Sequence, residues 1–266
     1  MKRWLVFTDL DGTLLDEDYG WEAARPAVEA LRAASIPIIL NSSKTVAEMA
    51  AIRDEMQLDG CCIAENGSVI YTAPLHADVE VLETSIRDEL VALAGRLRKV
   101  HGYRFEGFSD WQVRDVMQLT GLSRVEATGS MRRQATEPII WKDTQERLEM
   151  FIKQLHEAGV MLVRGGQFWH LMLAQTNKGM AMLEVLDRYQ QREPDTLWGT
   201  VALGDSPNDW SMLERADVGI LIPRTDREVD LGRFPGVRRA SFPSAYGWND
   251  AILSWLSEIK EEVECE

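Results

Sequence analysis

Two short apolar runs, far apart in the chain, each end in a pair of carboxylates. The first is Phe7-Thr8-Asp9-Leu10-Asp11-Gly12-Thr13-Leu14 and the second is Leu203-Gly204-Asp205-Ser206-Pro207-Asn208-Asp209, with 205 − 9 = 196 positions from Asp9 to Asp205. Arg3–Thr8 is rich in β-formers and reads as a buried strand. Acids spaced i and i+2 at a strand's carboxyl end can aim at one crevice, the place where open α/β sheets bind ligands. A helix cap or a closed turn accounts for one aspartate. Two beside an apolar strand repel each other unless a cation sits between them. Gly12 lets the chain turn sharply. Asp205 and Asp9 together supply hard oxygen ligands of the kind Mg²⁺ takes, along with waters and substrate phosphate.

The elements around these runs alternate. Trp21–Ala34 has helical spacing, Ile36–Leu40 reads as a strand, Val46–Met56 as a helix and Cys61–Ala64 as a third strand. That order implies a parallel sheet wrapped by helices. Asn66-Gly67 favours a tight turn into Ser68–Thr72. From about Pro74 strict alternation stops. Helices over Ser85–Val100, Val113–Met117, Ser123–Met131 and Gln145–Ala158 mix with strands at Ile139–Trp141, Val160–Arg164 and His170–Leu173, which reads as an α+β insert. The alternation returns with helix Lys178–Tyr189, strand Thr200–Leu203, helix Ser206–Ala216, strand Val218–Leu221 and helix Asp250–Val263. The expected fold is α/β: a parallel-sheet core at 1–80 and 176–266, with the insert at 81–175.

Charge narrows the partners. Lys plus Arg number 29 and Asp plus Glu 43, a net charge of −14, which lacks the basic footprint of a nucleic-acid or anionic-membrane surface. A site for an anionic substrate must then gather cations locally or borrow a metal. No apolar run reaches the roughly 18 residues of a membrane span. The apolar start, Trp4-Leu5-Val6-Phe7, is cut off by Asp9 and Asp11 before it reaches the length of a signal peptide's core, so a cytoplasmic location is expected. The three cysteines give no disulfide framework or zinc spacing, and Cys61 and Cys62 read as buried thiols. Acids rather than a glycine-rich turn after the first strand disfavour a dinucleotide enzyme.

Asp9-x-Asp11-Gly12-Thr13 and Gly204-Asp205-x-x-Asn208-Asp209 resemble the first and fourth motifs of the haloacid dehalogenase-like phosphatase superfamily. Asn41-Ser42-Ser43-Lys44-Thr45 and Asn177-Lys178-Gly179 fall where that superfamily places its phosphate-binding Ser or Thr and its Lys. The resemblance covers the chain as Rossmann-like core, insert and core. An insert beyond Glu65-Asn66-Gly67 is similar to the C2-capped, Cof-type branch. It implies that Asp9 is the nucleophile and Asp11 the general acid and base. It places Mg²⁺ on Asp9, the Asp11 backbone carbonyl and Asp205, with Asp209 as a further ligand. Ser42, Ser43, Asn66 and Lys178 would hold the phosphate. A phosphomutase of the same superfamily would share all four motifs.

Within that branch, Ser42-Ser43-Lys44-Thr45, Arg133-Gln134-Ala135-Thr136-Glu137-Pro138-Ile139-Ile140-Trp141 and Arg164-Gly165-Gly166-Gln167-Phe168-Trp169-His170 are similar to the mannosyl-3-phosphoglycerate phosphatase family. Gln167 departs from the Arg expected there. The resemblance implies a mannosyl- or glucosyl-3-phosphoglycerate substrate, with Lys44, Arg133, Thr136, Glu137, Arg164 and Gly166 as its contacts. Arginine suits a carboxylate. Glu137 can accept sugar hydroxyls, and Trp141 and Trp169 are candidates for stacking on a sugar. A general sugar-phosphate phosphatase is the broader alternative.

Overall fold

The computed structural model describes residues 2–16, 18–58, 60–71, 79–81, 86–165, 167–225 and 231–264. The chain divides into two compact units, Met1–Ser42 with Met182–Glu266, and Ser43–Ala181.

The first unit opens with β1 (Lys2–Thr8), α1 (Arg25–Ala33) and β2 (Ile38–Asn41). Leu5, Val6 and Phe7 have no exposed surface, as a strand covered on both faces requires. The second unit follows with α2 (Val46–Glu55), β3 (Cys62–Ala64), β4 (Val69–Tyr71), β5 (Val79–Val81), α3 (Ile86–His101), β6 (Phe105–Gly107), α4 (Val113–Thr120), α5 (Arg124–Ser130), β7 (Glu137–Trp141), α6 (Gln145–Glu157), β8 (Val160–Arg164), β9 (Trp169–Leu173) and α7 (Lys178–Arg192). The last turns of α7 return to the first unit, which closes with β10 (Leu197–Gly204), α8 (Trp210–Leu213), β11 (Val218–Leu221), β12 (Val237–Arg239) and α9 (Ser244–Glu264).

In the first unit β12, β11, β10, β1 and β2 lie side by side in that order, every pair parallel. Thr8 is level with Leu203 and with Leu40, so the carboxyl ends of three strands share one edge. Strand β1 is fixed from behind by α9: the buried Trp248 indole donates to Thr8 Oγ1 at 2.9 Å, and Trp4 meets Trp255 edge-on.

The second unit carries the antiparallel β3-β4-β5 meander and a four-stranded antiparallel sheet ordered β6-β7-β9-β8. Leu90 and Ala94 of α3 and Leu148, Phe151 and Leu155 of α6 cover that sheet. Phe108, Val116 and Ala127 form a smaller cluster beside it. The architecture is therefore an α/β core with a mostly parallel sheet and an α+β insert. The expected 81–175 segment falls within the second unit.

Several elements depart from expectation, among them the unassigned strands β5 and β6. The helix expected over Ser206–Ala216 is a 3-10 turn, Pro207–Asp209, followed by the single turn of α8. The Asp209 carboxylate turns back to accept from the Asp205 and Ser206 amides, which tightens the start. Helix α9 begins at Ser244 rather than Asp250, and β12 was not foreseen from its short, arginine-bearing sequence. Thr72 and Ser85, expected in a strand and a helix, lie outside the described residues.

Candidate active site

At the carboxyl edge of the first unit's sheet, the Asp9 amide donates to Leu203 O at 2.9 Å and extends the β1–β10 ladder by one residue. This brings the next residues of both strands together. Oxygens of Asp9, Asp205 and Asp209 all lie within 4.8 Å of one another, and all three residues are buried. Burial and the neighbouring Asp209 charge raise the Asp205 pKa, while hydrogen bonds from Arg224 and Ser206 act the other way. Three converging buried carboxylates fit a divalent cation with oxygen ligands.

One cation of the chain already touches this cluster. Arg224 Nη1 donates to Asp205 Oδ2 at 2.7 Å. Gly12, at φ 78°, lies against the same pair: a Cβ there would sit 2.8 Å from Asp205 Oδ2 and 3.3 Å from Arg224 Nη1. Sequence reasoning missed Arg224. The available signal was its place three residues beyond β11, the parallel neighbour of β10. Asp11 is half-buried in the turn, its backbone bridged to Leu15. Ser42 is buried directly after β2.

The remaining expected residues gather in the second unit. Lys178, at the start of α7, is fully buried. Asn66 sits in a turn of three left-handed residues, Glu65 (φ 50°), Asn66 (φ 59°) and Gly67 (φ 96°). A Cβ on Gly67 would lie 2.4 Å from the Asn177 carbonyl oxygen, so only glycine lets this turn approach the start of α7. Lys44 contributes, after the Ser123 hydroxyl and amide, to holding the Glu126 carboxyl below the usual range.

Arg133 Nη1 donates to Ser43 O at 3.2 Å and to Thr136 Oγ1 at 2.9 Å. Its guanidinium lies 5.5 Å from the Phe108 ring centre, and its Nε is buried with no hydrogen-bond partner among the described residues. Arg164 is exposed and lies over the Trp169 ring. Gly166 lies outside the described residues.

Other expected contacts are committed elsewhere. Thr136 is fully buried, and its hydroxyl donates to Glu65 while accepting from Arg133. Glu137 is 2% exposed: Oε2 accepts from Arg87 at 2.9 Å and Oε1 from the Ser109 amide at 2.7 Å, so the structure makes it an internal tie rather than an open acceptor for sugar hydroxyls. Trp141 stacks on Phe151 and Phe105, in the insert's own core. Gln167 Nε2 donates to Leu119 O at 2.7 Å.

Glu65 and His170 were not foreseen as part of this arrangement. His170 is 5% exposed, and its Nδ1 has no partner among the described residues. Burial, and then the charges of Arg133, Lys178 and Arg164, push its pKa down to about 3, so the ring is neutral near pH 7.

A family model of haloacid dehalogenase-like hydrolases matches residues 6–230. Among solved structures, a phosphatase of the haloalkanoate superfamily from Bacteroides thetaiotaomicron superposes with a TM-score of 0.67 at 16% identity, covering 95% of this chain and 94% of its own. A haloacid dehalogenase-like hydrolase from B. subtilis gives 0.62 at 19%, covering 84% and 90%. A sucrose-phosphatase from Synechocystis, solved with sucrose and phosphate, gives 0.58 at 18%, covering 96% and 98%. At these identities the likeness is one of fold. Among the described residues no helix is long and apolar enough to cross a membrane.

Proposed function

The chain belongs to the haloacid dehalogenase-like hydrolases, and on that premise we propose that it is a cytoplasmic, Mg²⁺-dependent phosphatase that hydrolyses the phosphate monoester of mannosyl-3-phosphoglycerate or its glucosyl analogue. The observation that carries the chemistry is the convergence of Asp9, Asp205 and Asp209, buried and within 4.8 Å, at the edge where parallel strands end.

Asp9 attacks phosphorus, the P–O bond to the alkoxide breaks, and an aspartyl-phosphate forms. Asp11 protonates the leaving alkoxide, then takes a proton from the water that splits the acyl phosphate into inorganic phosphate and free Asp9. Ser42, Ser43, Asn66 and Lys178 are the residues proposed to bind the phosphoryl oxygens. Asp9, the Asp11 carbonyl, Asp205 and Asp209 would hold Mg²⁺, which would neutralise these carboxylates and the phosphoryl oxygens when bound.

For the substrate's other end, residues 81–175 act as the specificity segment, with Lys44, Arg133 and Arg164 as the cations for a glycerate carboxylate. The support is the sequence similarity of that segment and the half-buried Arg133 guanidinium oriented by Ser43 and Thr136.

A panel of phosphomonoesters assayed for phosphate release tests this. Preference for the glycosyl phosphoglycerates is the expected result. Preference for simple hexose phosphates would overturn the narrow reading and leave a general sugar-phosphate phosphatase. An isomerised sugar phosphate without free phosphate would make it a phosphomutase.

A further inference from the structure

We propose that Glu65 is a positioning residue for substrate selection, fixing the 133–136 segment so that Arg133 is presented to the substrate's carboxylate. This deepens the function proposed above and rests on its assignment of Arg133.

Glu65 has no exposed surface and holds a left-handed φ of 50°, a conformation that a non-glycine residue keeps only where its surroundings enforce it. Its carboxylate accepts four hydrogen bonds, all from one short segment. Oε1 takes the Gln134 amide at 2.8 Å. Oε2 takes the Ala135 amide at 3.1 Å, the Thr136 amide at 2.9 Å and the Thr136 hydroxyl at 2.8 Å. Successive amides aimed at one anion form a nest. Among the described residues no cation pairs with Glu65, so the backbone of 134–136 supplies most of the carboxylate's donors.

The contacts close into a ring. Arg133 Nη1 donates to Thr136 Oγ1 and Ser43 O, the Thr136 hydroxyl donates to Glu65, and the Glu65 amide donates to Lys44 O at 2.9 Å. Ser43 and Lys44 are adjacent in the chain. Arg133 is thereby held through one nitrogen, Nη1, at a set angle, which orients its half-buried guanidinium. On the other side of the same turn, Gly67 packs against Asn177 and Lys178.

The test compares Glu65→Gln and Glu65→Asp with wild type on a glycosyl phosphoglycerate and on 4-nitrophenyl phosphate, which has no carboxylate. Gln turns an N–H₂ toward N–H donors. Asp keeps the charge one methylene short, so it serves where the Gln variant does not fold and restores part of the effect. The expected result is a KM for the ester raised about tenfold or more in the Gln variant, with kcat and aryl-phosphate turnover changed less than about threefold. Amides 134–136 should also exchange hydrogen faster in that variant. Parallel losses on both substrates, or an unchanged ester KM, would overturn the positioning role. Unchanged exchange at 134–136 would overturn Glu65's hold on the segment whatever the substrate. A wild-type enzyme indifferent to the carboxylate would instead overturn the function reading, with the exchange result still deciding whether Glu65 fixes the segment.

Discussion

Arg224 donates to Asp205 Oδ2 at 2.7 Å, so a guanidinium of the chain lies on one of the carboxylates that a divalent ion would claim. The two cations want the same carboxylate. In the metal-free protein Arg224 relieves the repulsion between Asp205 and Asp209. When an ion binds, that hydrogen bond weakens or is given up.

Arg224→Ala should therefore bind Mg²⁺ more tightly. A charge-assisted hydrogen bond is worth about 1.5–3 kcal/mol, less where solvent reaches it, so a gain of roughly tenfold in affinity is expected. The metal-free variant should unfold more easily, and Mg²⁺ should restore more of its stability than in wild type. Calorimetric titration of the chelated protein measures the first effect and thermal unfolding the second. Unchanged or weaker Mg²⁺ binding would mean that Arg224 and the ion share Asp205 without competing.

Asp9→Asn should leave the fold intact and abolish turnover, because an amide of nearly the same shape cannot attack phosphorus. Aspartate at this site is 5% exposed and packed beside two other acids, so its loss should raise stability slightly rather than lower it. Phosphate release from variant enzyme free of other phosphatases checks the role. More than a trace of activity would exclude Asp9 as nucleophile.

His170 makes stability depend on pH. In the unfolded chain it protonates near pH 6.5, and in the folded protein only at about 3. Between those values the unfolded chain binds a proton that the folded protein refuses. The contribution is therefore complete above pH 6.5 and is lost as the pH falls toward 3, at up to about 1.4 kcal/mol per pH unit. Aspartates and glutamates act in the same direction, so the comparison needs His170→Gln. Urea unfolding at pH 7 and pH 5 should show wild type losing about 2 kcal/mol more than the variant. Equal losses would show that the ring is readily protonated in the fold.

What the sequence revealed and what it hid follow from the range of the interactions. Asp9 and Asp205 are visible because each ends an apolar run, and parallel pairing of those runs puts them side by side, with Asp209 four residues on from Asp205. Lys178 and Ser42 carry a weaker local signal, one at a helix start and one after a strand. Glu65 was passed over because an acid after β3 looks like any turn residue, and its four donors lie 69 to 71 positions away. The partners of Glu137 were hidden for a related reason. A glutamate in an arginine-rich segment looks available to a ligand, but Arg87 and Ser109, distant in sequence, already occupy it. The helix after Pro207 was overextended because apolar spacing continues past Leu213, whereas α8 ends there and the chain enters β11 at Val218.

The two insert arginines should differ, although their sequence contexts look equivalent. Arg133 is partly buried, oriented by Ser43 and Thr136, and keeps an unpartnered Nε. Arg164 is exposed over Trp169, where solvent screens its charge. Arg133→Ala should cost a glycosyl phosphoglycerate about 2–3 kcal/mol, a loss of roughly 30- to 150-fold in kcat/KM, carried mainly by KM. Arg164→Ala should cost about tenfold or less. Both should leave 4-nitrophenyl phosphate nearly unaffected, since that substrate offers no carboxylate. Lys178→Ala should cripple both substrates, because it removes a fully buried cation proposed for the phosphate they share. Steady-state kinetics on the three variants and two substrates distinguish these patterns. If Arg133→Ala lost aryl-phosphate and ester turnover in parallel, Arg133 would be a structural tie to Ser43 and Thr136 rather than a reader of the carboxylate.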